Sequence, residues 1–274
     1  MTERGCWVYA VTDQDPAQDL SQLTGVAGTK VRPVRAAGIT ALISDVDLDE
    51  FGADALRRNL ENMEWLERTA RAHHEVIDAA SRVLPLLPMR LATVYSGETM
   101  LADTLEARRE DFLAALEQVG GRVEWGVKAY AQPQPGRGAS RGDDDAGAAD
   151  APGESTPAES GAPGGSGAGM AYLKKRRAQM TARQDAQRDA VTGARDVHAG
   201  LARKAAQARL HPPQSPQLSG ERTPMLLNAA YLLGQSEGTG FADAVAAAAA
   251  AHPELRVELT GPWPPYSFAG EEAG

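Results

Sequence analysis

A long segment without large apolar side chains divides this sequence. Residues 132–169 contain no Val, Ile, Leu, Met or aromatic residue, and hold instead ten Gly, eight Ala and five Pro. Such a segment buries too little apolar surface to offset the entropy that is lost when its backbone is ordered. We therefore predict a disordered linker over 132–169, so that any folded core must come from the sequence on either side of it.

Residues 1–131, before the linker, alternate between strand and helix patterns. Short β-branched or aromatic runs predict strands at 6–12, 31–36, 39–46, 86–95 and 123–129. Apolar residues spaced three and four apart predict helices at 54–83 and 97–119. The strands at 31–36 and 39–46 should form a hairpin around Ala36–Gly38. This order of elements predicts an α+β domain in which an antiparallel sheet carries helices on one face.

The sequence after the linker predicts a long helix and then a second small domain. Residues 170–210 are rich in Ala, Lys, Arg and Gln, and the run His211-Pro212-Pro213 ends this basic helix. The apolar run at 224–233 has a length that fits either a helix or a strand, and the glycines after it favour a strand. With a helix at 241–252 and a strand at 255–260, residues 211–274 then predict a β-α-β unit. The predicted fold class is therefore α+β, with two small domains joined by a disordered linker and a long helix.

Charge is distributed unevenly along the chain. The formal net charge is −9, yet residues 170–210 hold ten Lys or Arg against three Asp or Glu. A basic helix in an acidic protein either binds an acidic partner or folds against its own acidic domains, and the sequence leaves both alternatives open. A nucleic acid is a further candidate ligand, although Tyr172 is the one aromatic residue among these charges.

Neither a disulfide framework nor a membrane span is expected. Cys6 is the single cysteine, and it lies in an apolar predicted strand, where an inert core thiol is expected. The tract Ala244–Ala251 has only eight residues, whereas a transmembrane helix needs about twenty. The N-terminus lacks a basic segment followed by a long apolar stretch. We therefore expect a soluble cytoplasmic protein.

No constellation of catalytic or metal-binding residues stands out. The run Asp45-x-Asp47-x-Asp49 lacks the glycine and the glutamate that a calcium loop carries at its sixth and twelfth positions. His73 and His74 are adjacent, whereas zinc-binding histidines on a helix are usually four residues apart. The glycines at 234, 238 and 240 lack the Lys-Ser/Thr of a phosphate-binding loop. We therefore predict no catalytic residue, no metal, no cofactor and no enzymatic activity.

The C-terminal tail Gly261–Phe268 (GPWPPYSF) is the least ordinary stretch outside the linker. Its three prolines restrict the backbone, and Trp263, Tyr266 and Phe268 supply large apolar faces. Two interpretations are open. Either the rings anchor the tail to its own domain, or they form a preorganised surface for a partner.

Five motifs, in order along the chain, resemble one known family. The clearest is Leu84–Tyr95 (LPLLPMRLATVY), which resembles the "LPlRFGTvf" stretch of the gas vesicle protein F/L family. The other four are Trp65–His74 (WLERTARAHH), Gly121–Lys128 (GRVEWGVK), Asn228–Leu233 (NAAYLL) and Glu258–Phe268 (ELTGPWPPYSF). Two departures are the Leu91-Ala92 pair, where the family usually has Phe-Gly, and the unusual length of the linker. We expect the first to alter local packing and the second to alter domain spacing.

The resemblance implies a non-enzymatic accessory or minor component of gas vesicles, the gas-filled protein shells that give cells buoyancy. It further implies binding to the small hydrophobic shell protein, assistance in vesicle assembly and contact with other accessory proteins, at gas vesicles in the cytoplasm. Candidate partner-binding residues are Arg90, taken as a charge on a strand, and Trp263, Tyr266 and Phe268 of the tail. The alternative hypothesis is a nucleic-acid-binding regulator that uses the basic helix.

Overall fold

The computed structural model describes residues 3–16, 20, 22–132, 165–214 and 223–270. Two antiparallel sheets and the helices that pack on them form the fold, which confirms the predicted α+β class. The predicted linker at 132–169 lies mostly outside the described residues, and helical backbone begins at Gly165, within its predicted C-terminal end.

The first sheet has five strands. They are β1 (Arg4–Thr12), β2 (Val31–Ala36), β3 (Ile39–Asp47), β4 (Leu87–Pro88) and β5 (Val94–Tyr95). The order is β2-β3-β1-β4, and β5 also pairs with β1. The predicted hairpin between β2 and β3 is confirmed, because Ala36 pairs with Ile39 across a turn in which Ala37 and Gly38 have positive φ angles.

Helices cover both faces of the first sheet, whereas the sequence predicted them on one face. The five helices are α1 (Leu48–Phe51), α2 (Ala53–Asn59), α3 (Met63–Ser81), α4 (Glu98–Ala107) and α5 (Arg109–Val119). Trp7 and Leu42 pack with α1, α2 and α3, while Val8 and Ile43 pack with α4 and α5. From Gly5 to Thr12 every residue of β1 is buried, so both faces of this strand have to be covered.

The second sheet has four strands in the order β7-β8-β6-β9. They are β6 (Arg122–Ala131), β7 (Gln207–Leu210), β8 (Met225–Gly234) and β9 (Leu255–Trp263). One face packs against α6 (Gly165–Ala202) and α7 (Gly238–Ala251). The other face contributes Ala230 and Leu232 to the core that also holds α4 and α5, so the two sheets share one apolar layer.

Two strands of the second sheet come from outside residues 211–274. The sequence placed β6 in the first sheet, but β6 pairs with β8 on one side and β9 on the other. It also extended the basic helix to 210, but α6 ends at Ala202 and β7 pairs with β8. Both placements are wrong because sheet pairing joins distant residues, whereas propensity and chain order are local. The division into domains at 1–131 and 211–274 stays a prediction.

Two predicted helices are each divided. The helix predicted at 54–83 ends at Asn59, and α3 begins after Asn62, whose side-chain oxygen accepts hydrogen bonds from the N–H groups of Glu64 and Trp65. Asparagine is a preferred residue at this capping position, so the sequence did carry a signal for the break. The helix predicted at 97–119 breaks at Arg108, where no glycine or proline marks the change.

The strand predicted at 86–95 is interrupted by a turn. Both ends bond to β1, because Met89 N–H donates to Tyr9 O and Val8 N–H donates to Thr93 O. Between them the N–H and hydroxyl of Thr93 donate to Arg90 O, and Ala92 has φ +67°. Ala92 therefore occupies the left-handed region at the position where the resembled motif has glycine.

Replacing Ala92 by glycine should stabilise the protein. A left-handed conformation costs a residue with a Cβ about 1–2 kcal/mol, and glycine removes most of that cost. We expect Ala92→Gly to raise the free energy of unfolding by about 1 kcal/mol in chemical denaturation. Ala114→Gly, at an exposed helical position of α5, should lower it by a similar amount and serves as the control. A loss of stability in Ala92→Gly would contradict the prediction.

A buried histidine joins α3 to the first sheet. His73 is 3% exposed, its Nδ1 accepts a hydrogen bond from Trp7 Nε1 at 3.0 Å, and its Nε2 lies 3.1 Å from Met89 O. Since Nδ1 is an acceptor, Nε2 carries the proton and donates it to the carbonyl. The ring also stacks on Tyr9, with 5.5 Å between ring centroids. Burial lowers the pKa of His73 to about 4.

The first half of α6 is exposed on all sides. From Met170 to Asp189 every side chain is exposed except Ala186, which is half-buried; we call residues 170–189 the exposed arm. The second half packs on the second sheet through Ala190, Ala194, Val197 and Leu201. No helix within the described ranges is long and apolar enough to span a membrane.

Candidate functional site

A cleft of about 770 Å³ opens between the first part of the fold and the C-terminal tail. One wall is the chain that leaves α3, with Val83, Leu84 and Pro85, and the other is the tail, with Pro262 and Trp263. Val83 is 57% exposed and Trp263 is 45% exposed. Large apolar side chains therefore face solvent on both sides of one concave surface.

His74 holds the tail against α3. The Trp263 ring meets the His74 ring edge to face, with 5.6 Å between centroids, and the Tyr266 hydroxyl lies 3.4 Å from His74 Nδ1. Tyr266 is half-buried, and burial raises the pKa of its phenol, with the carboxylates of Asp78 and Glu124 as lesser causes. One face of Trp263 is thus fixed by α3 while the rest of the ring stays accessible.

A polar clasp ties the tail to the second sheet. Both carboxylate oxygens of Glu124, on β6, accept hydrogen bonds from Ser267, one from its N–H at 2.7 Å and one from its hydroxyl at 2.6 Å. His211 Nε2 lies 3.1 Å from the same hydroxyl oxygen. Burial raises the pKa of Glu124, while the two bonds from Ser267 act in the opposite direction. The serine stands between the acid and the histidine, so the group is built to hold the tail in place.

The four predicted partner-binding residues lie in different environments. Trp263 borders the cleft, whereas Tyr266 is not among its lining residues and contacts His74. Phe268 is only 5% exposed and packs in the core with α4 and α5, so it anchors the tail. Arg90 is exposed, but it lies in the turn between β4 and β5 and not on a strand. Their role as partner-binding residues stays a prediction.

The sequence carries no signal that Val83 and His74 belong to this surface. His74 contacts two aromatic rings of the tail. The contact joins residues almost 190 positions apart, and no local pattern signals it. Val83 is the last residue of the helix predicted at 54–83, but α3 ends at Ser81, so helical periodicity does not determine the exposure of Val83.

The cleft is lined by polar as well as apolar side chains, with Ser81, Arg122 and Gln235 beside the apolar rim. Asp78 and Arg82 also line it and form an exposed ion pair with 2.6 Å between Oδ2 and NH2. Within the described part of the chain, no three His, Cys, Asp or Glu side chains are grouped as metal ligands. Cys6 is buried in β1, and burial raises the pKa of its thiol.

Comparison with known proteins assigns the family. The family model described as gas vesicle synthesis protein GvpL/GvpF matches residues 5–270. This chain belongs to the GvpL/GvpF family. The resemblance seen in the five sequence motifs is therefore confirmed, and so is the predicted association with gas vesicles.

Gas vesicle proteins from Streptomyces and Halobacterium match along nearly the whole chain. Gas vesicle protein L of Streptomyces sp. (strain CB03234) is 37% identical over 269 residues, which cover 98% of this chain and 94% of the relative. Gas vesicle protein L2 of Halobacterium salinarum is 27% identical, with 97% and 91% covered. Nothing in these matches supports the nucleic-acid hypothesis.

Solved GvpF structures have the same fold. The crystal structure of GvpF from Anabaena sp. PCC7120 superposes with a TM-score of 0.65 at 17% identity, covering 97% of this chain and 96% of that one. GvpF from Microcystis aeruginosa gives a TM-score of 0.61 at 16% identity, with 97% and 99% covered. At these identities the likeness concerns the fold alone.

Proposed function

We propose that this protein is a non-enzymatic accessory protein of gas vesicles that binds the hydrophobic shell protein and limits its aggregation during vesicle assembly. Membership of the GvpL/GvpF family supplies the cellular setting. The observation that carries the proposal is the cleft bordered by Val83 and Trp263. These two exposed apolar side chains suit a partner that needs its own apolar surface covered.

The physical requirement comes from the shell. A subunit that faces gas in the assembled wall exposes a large apolar surface before assembly, and such a surface drives aggregation in water. The tail side of the cleft is already ordered before a partner binds, because the clasp and His74 fix the tail. Less ordering entropy is then lost when the subunit binds. Assembly would release the subunit when shell–shell contacts replace those in the cleft.

The charged surface fits a role among other accessory proteins. We infer that the exposed arm contacts an acidic accessory protein, since its six Lys or Arg outnumber its two Asp; this chain, with a net charge of −9, is itself such a protein. Contacts of this kind would guide the encounter, while the apolar cleft would hold the shell subunit.

Removing the apolar rim of the cleft should weaken shell-protein binding. We expect Trp263→Ala combined with Val83→Ser to lower affinity by at least about 30-fold, since a central tryptophan in an interface commonly contributes 2 kcal/mol or more. The measurement is co-expression with the shell protein, followed by the amount of shell protein that stays soluble and co-purifies.

The control is Met63→Ser, which removes an apolar side chain that is 74% exposed at the opposite end of α3. Met63 and Val83 are exposed, so stability should change by about 0.5 kcal/mol or less at each, whereas Trp263→Ala also removes the contact with His74 and should cost about 1–2 kcal/mol. Undiminished co-purification by the double variant, with its fold intact, would contradict the role of the cleft. Absence of any shell-protein binding by the unaltered chain would contradict the proposed function.

A further inference from the structure

The exposed arm carries an apolar stripe that nothing in the described structure covers. Met170, Leu173 and Met180 are 72%, 62% and 58% exposed. Together with Arg177 they follow a three- and four-residue spacing, which places them on one face of α6. A helical stripe of this kind is normally buried against a partner.

The arm is held away from its own domains. It continues without a break into the second half of α6, which is fixed on the second sheet through Val197 and Leu201. Twenty helical residues extend about 30 Å, so the far end of the arm projects well beyond that contact. Of the two alternatives for the basic helix, docking on its own acidic domain is therefore not what this half of it does.

A matching acidic surface lies on α4 and α5. The exposed acidic side chains there are Glu98, Asp103, Glu106, Glu110, Asp111 and Glu117. Two of them pair within the chain, Glu98 with Arg32 and Asp111 with Arg108. Met100, on α4, is 54% exposed and adds an apolar side chain to this surface.

We propose that the exposed arm docks on the acidic α4–α5 surface of a second copy of this chain. Residues 170–189 hold six basic and two acidic side chains, and residues 98–119 hold six acidic and two basic ones, so the two surfaces are opposite in charge. Each also presents exposed methionine, a side chain that adapts to the surface it meets. Because both surfaces belong to every copy, two chains can exchange arms reciprocally and close a symmetric dimer.

Two other partners fit the exposed arm less well. If two arms packed side by side, the positive charges of Lys174–Arg177 in one copy would lie near those of the other. Repulsion between them disfavours arm-to-arm pairing. A nucleic acid would satisfy the basic side chains, but it gives no partner to the Met170, Leu173 and Met180 stripe. A protein surface that is acidic and partly apolar satisfies both features.

Sedimentation velocity of the purified full-length chain tests this proposal. In low salt we expect a species of about twice the 28.9 kDa chain mass that is insensitive to nuclease. In 1 M NaCl, where the screening length falls to about 3 Å, it should dissociate to the monomer. The assay contains no shell protein, so its outcome is separate from that of the proposed function.

Two charge-reversal variants make the test specific. The arm variant carries K174E, K175E, R176E and R177E, and the surface variant carries D103K, E106K, E110K and E117K. Each alone should be monomeric, since its arm and its α4–α5 surface then have the same sign. An equimolar mixture should restore the dimer, because the reversed arm of one meets the reversed surface of the other.

The matched control reverses four exposed arginines on α2 and α3, through R57E, R58E, R68E and R71E, and should remain dimeric although its net charge changes as in the arm variant. A monomeric unaltered chain at low salt would overturn the proposal. So would a mixture that stays monomeric, or an association that nuclease removes, the last of which would indicate nucleic-acid binding by the arm.

Discussion

Replacing Phe268 by alanine should lower the free energy of unfolding by about 3–5 kcal/mol, the usual range for truncating a buried phenylalanine. Phe268 is 5% exposed and packs in the layer shared by the first sheet, α4, α5 and the second sheet. The substitution leaves a cavity where the two sheets meet. Chemical denaturation should show a lower transition midpoint.

Trp263→Ala is the control for this prediction. Trp263 is 45% exposed, so Trp263→Ala should cost far less stability than Phe268→Ala. The two tail aromatic residues then separate by role: Phe268 mainly affects folding, whereas Trp263 mainly affects binding. Equal losses of stability from the two substitutions would contradict this assignment.

Acidification from pH 7 to pH 4 should destabilise the protein by about 3 kcal/mol through His73 alone. The pKa of His73 is lowered to about 4 in the folded chain, against an ordinary value near 6.5. Between these values the unfolded chain binds a proton that the folded chain does not, so stability is full above pH 6.5 and is lost as the pH falls towards 4. Burial is the main cause, since a charged imidazole would lose its hydration.

A His73→Leu variant isolates this effect from that of the carboxylates. It should be less stable than the unaltered chain at pH 7, because Trp7 Nε1 and Met89 O lose their partner. Its stability should fall less between pH 6.5 and pH 4, and the difference between the two pH profiles measures the histidine. Parallel profiles would contradict the prediction.

Local sequence patterns predicted the helices and strands of this fold better than they predicted which strands pair with each other. The strand at β1 and the hairpin at Ala36–Gly38 follow from β-branched residues and a turn, both of which are local. The position of β6 does not follow, because its pairing with β8 and β9 joins segments on either side of the linker. Chain order had suggested the first sheet, and only tertiary pairing decides between the two.

The candidate site was predictable in part. The tail was recognisable from its prolines and aromatic residues, but the sequence could not separate the buried Phe268 from the exposed Trp263. That difference depends on which ring enters the layer between the sheets and which rests on His74. Val83 could be assigned to the site only from the structure, which places it on the wall of the cleft that faces the tail.

The position of β6 between β8 and β9 affects the result of cleaving the chain. A protease that cleaves between Gln132 and Gly165 separates β6 from β7, β8 and β9 along the sequence, yet β8 and β9 each remain bonded to β6. The two fragments would thus stay together as a complemented pair held by backbone ladders. Insertions at this point lengthen only the connection from β6 to α6, so evolution can vary its length while the sheet keeps its strand order.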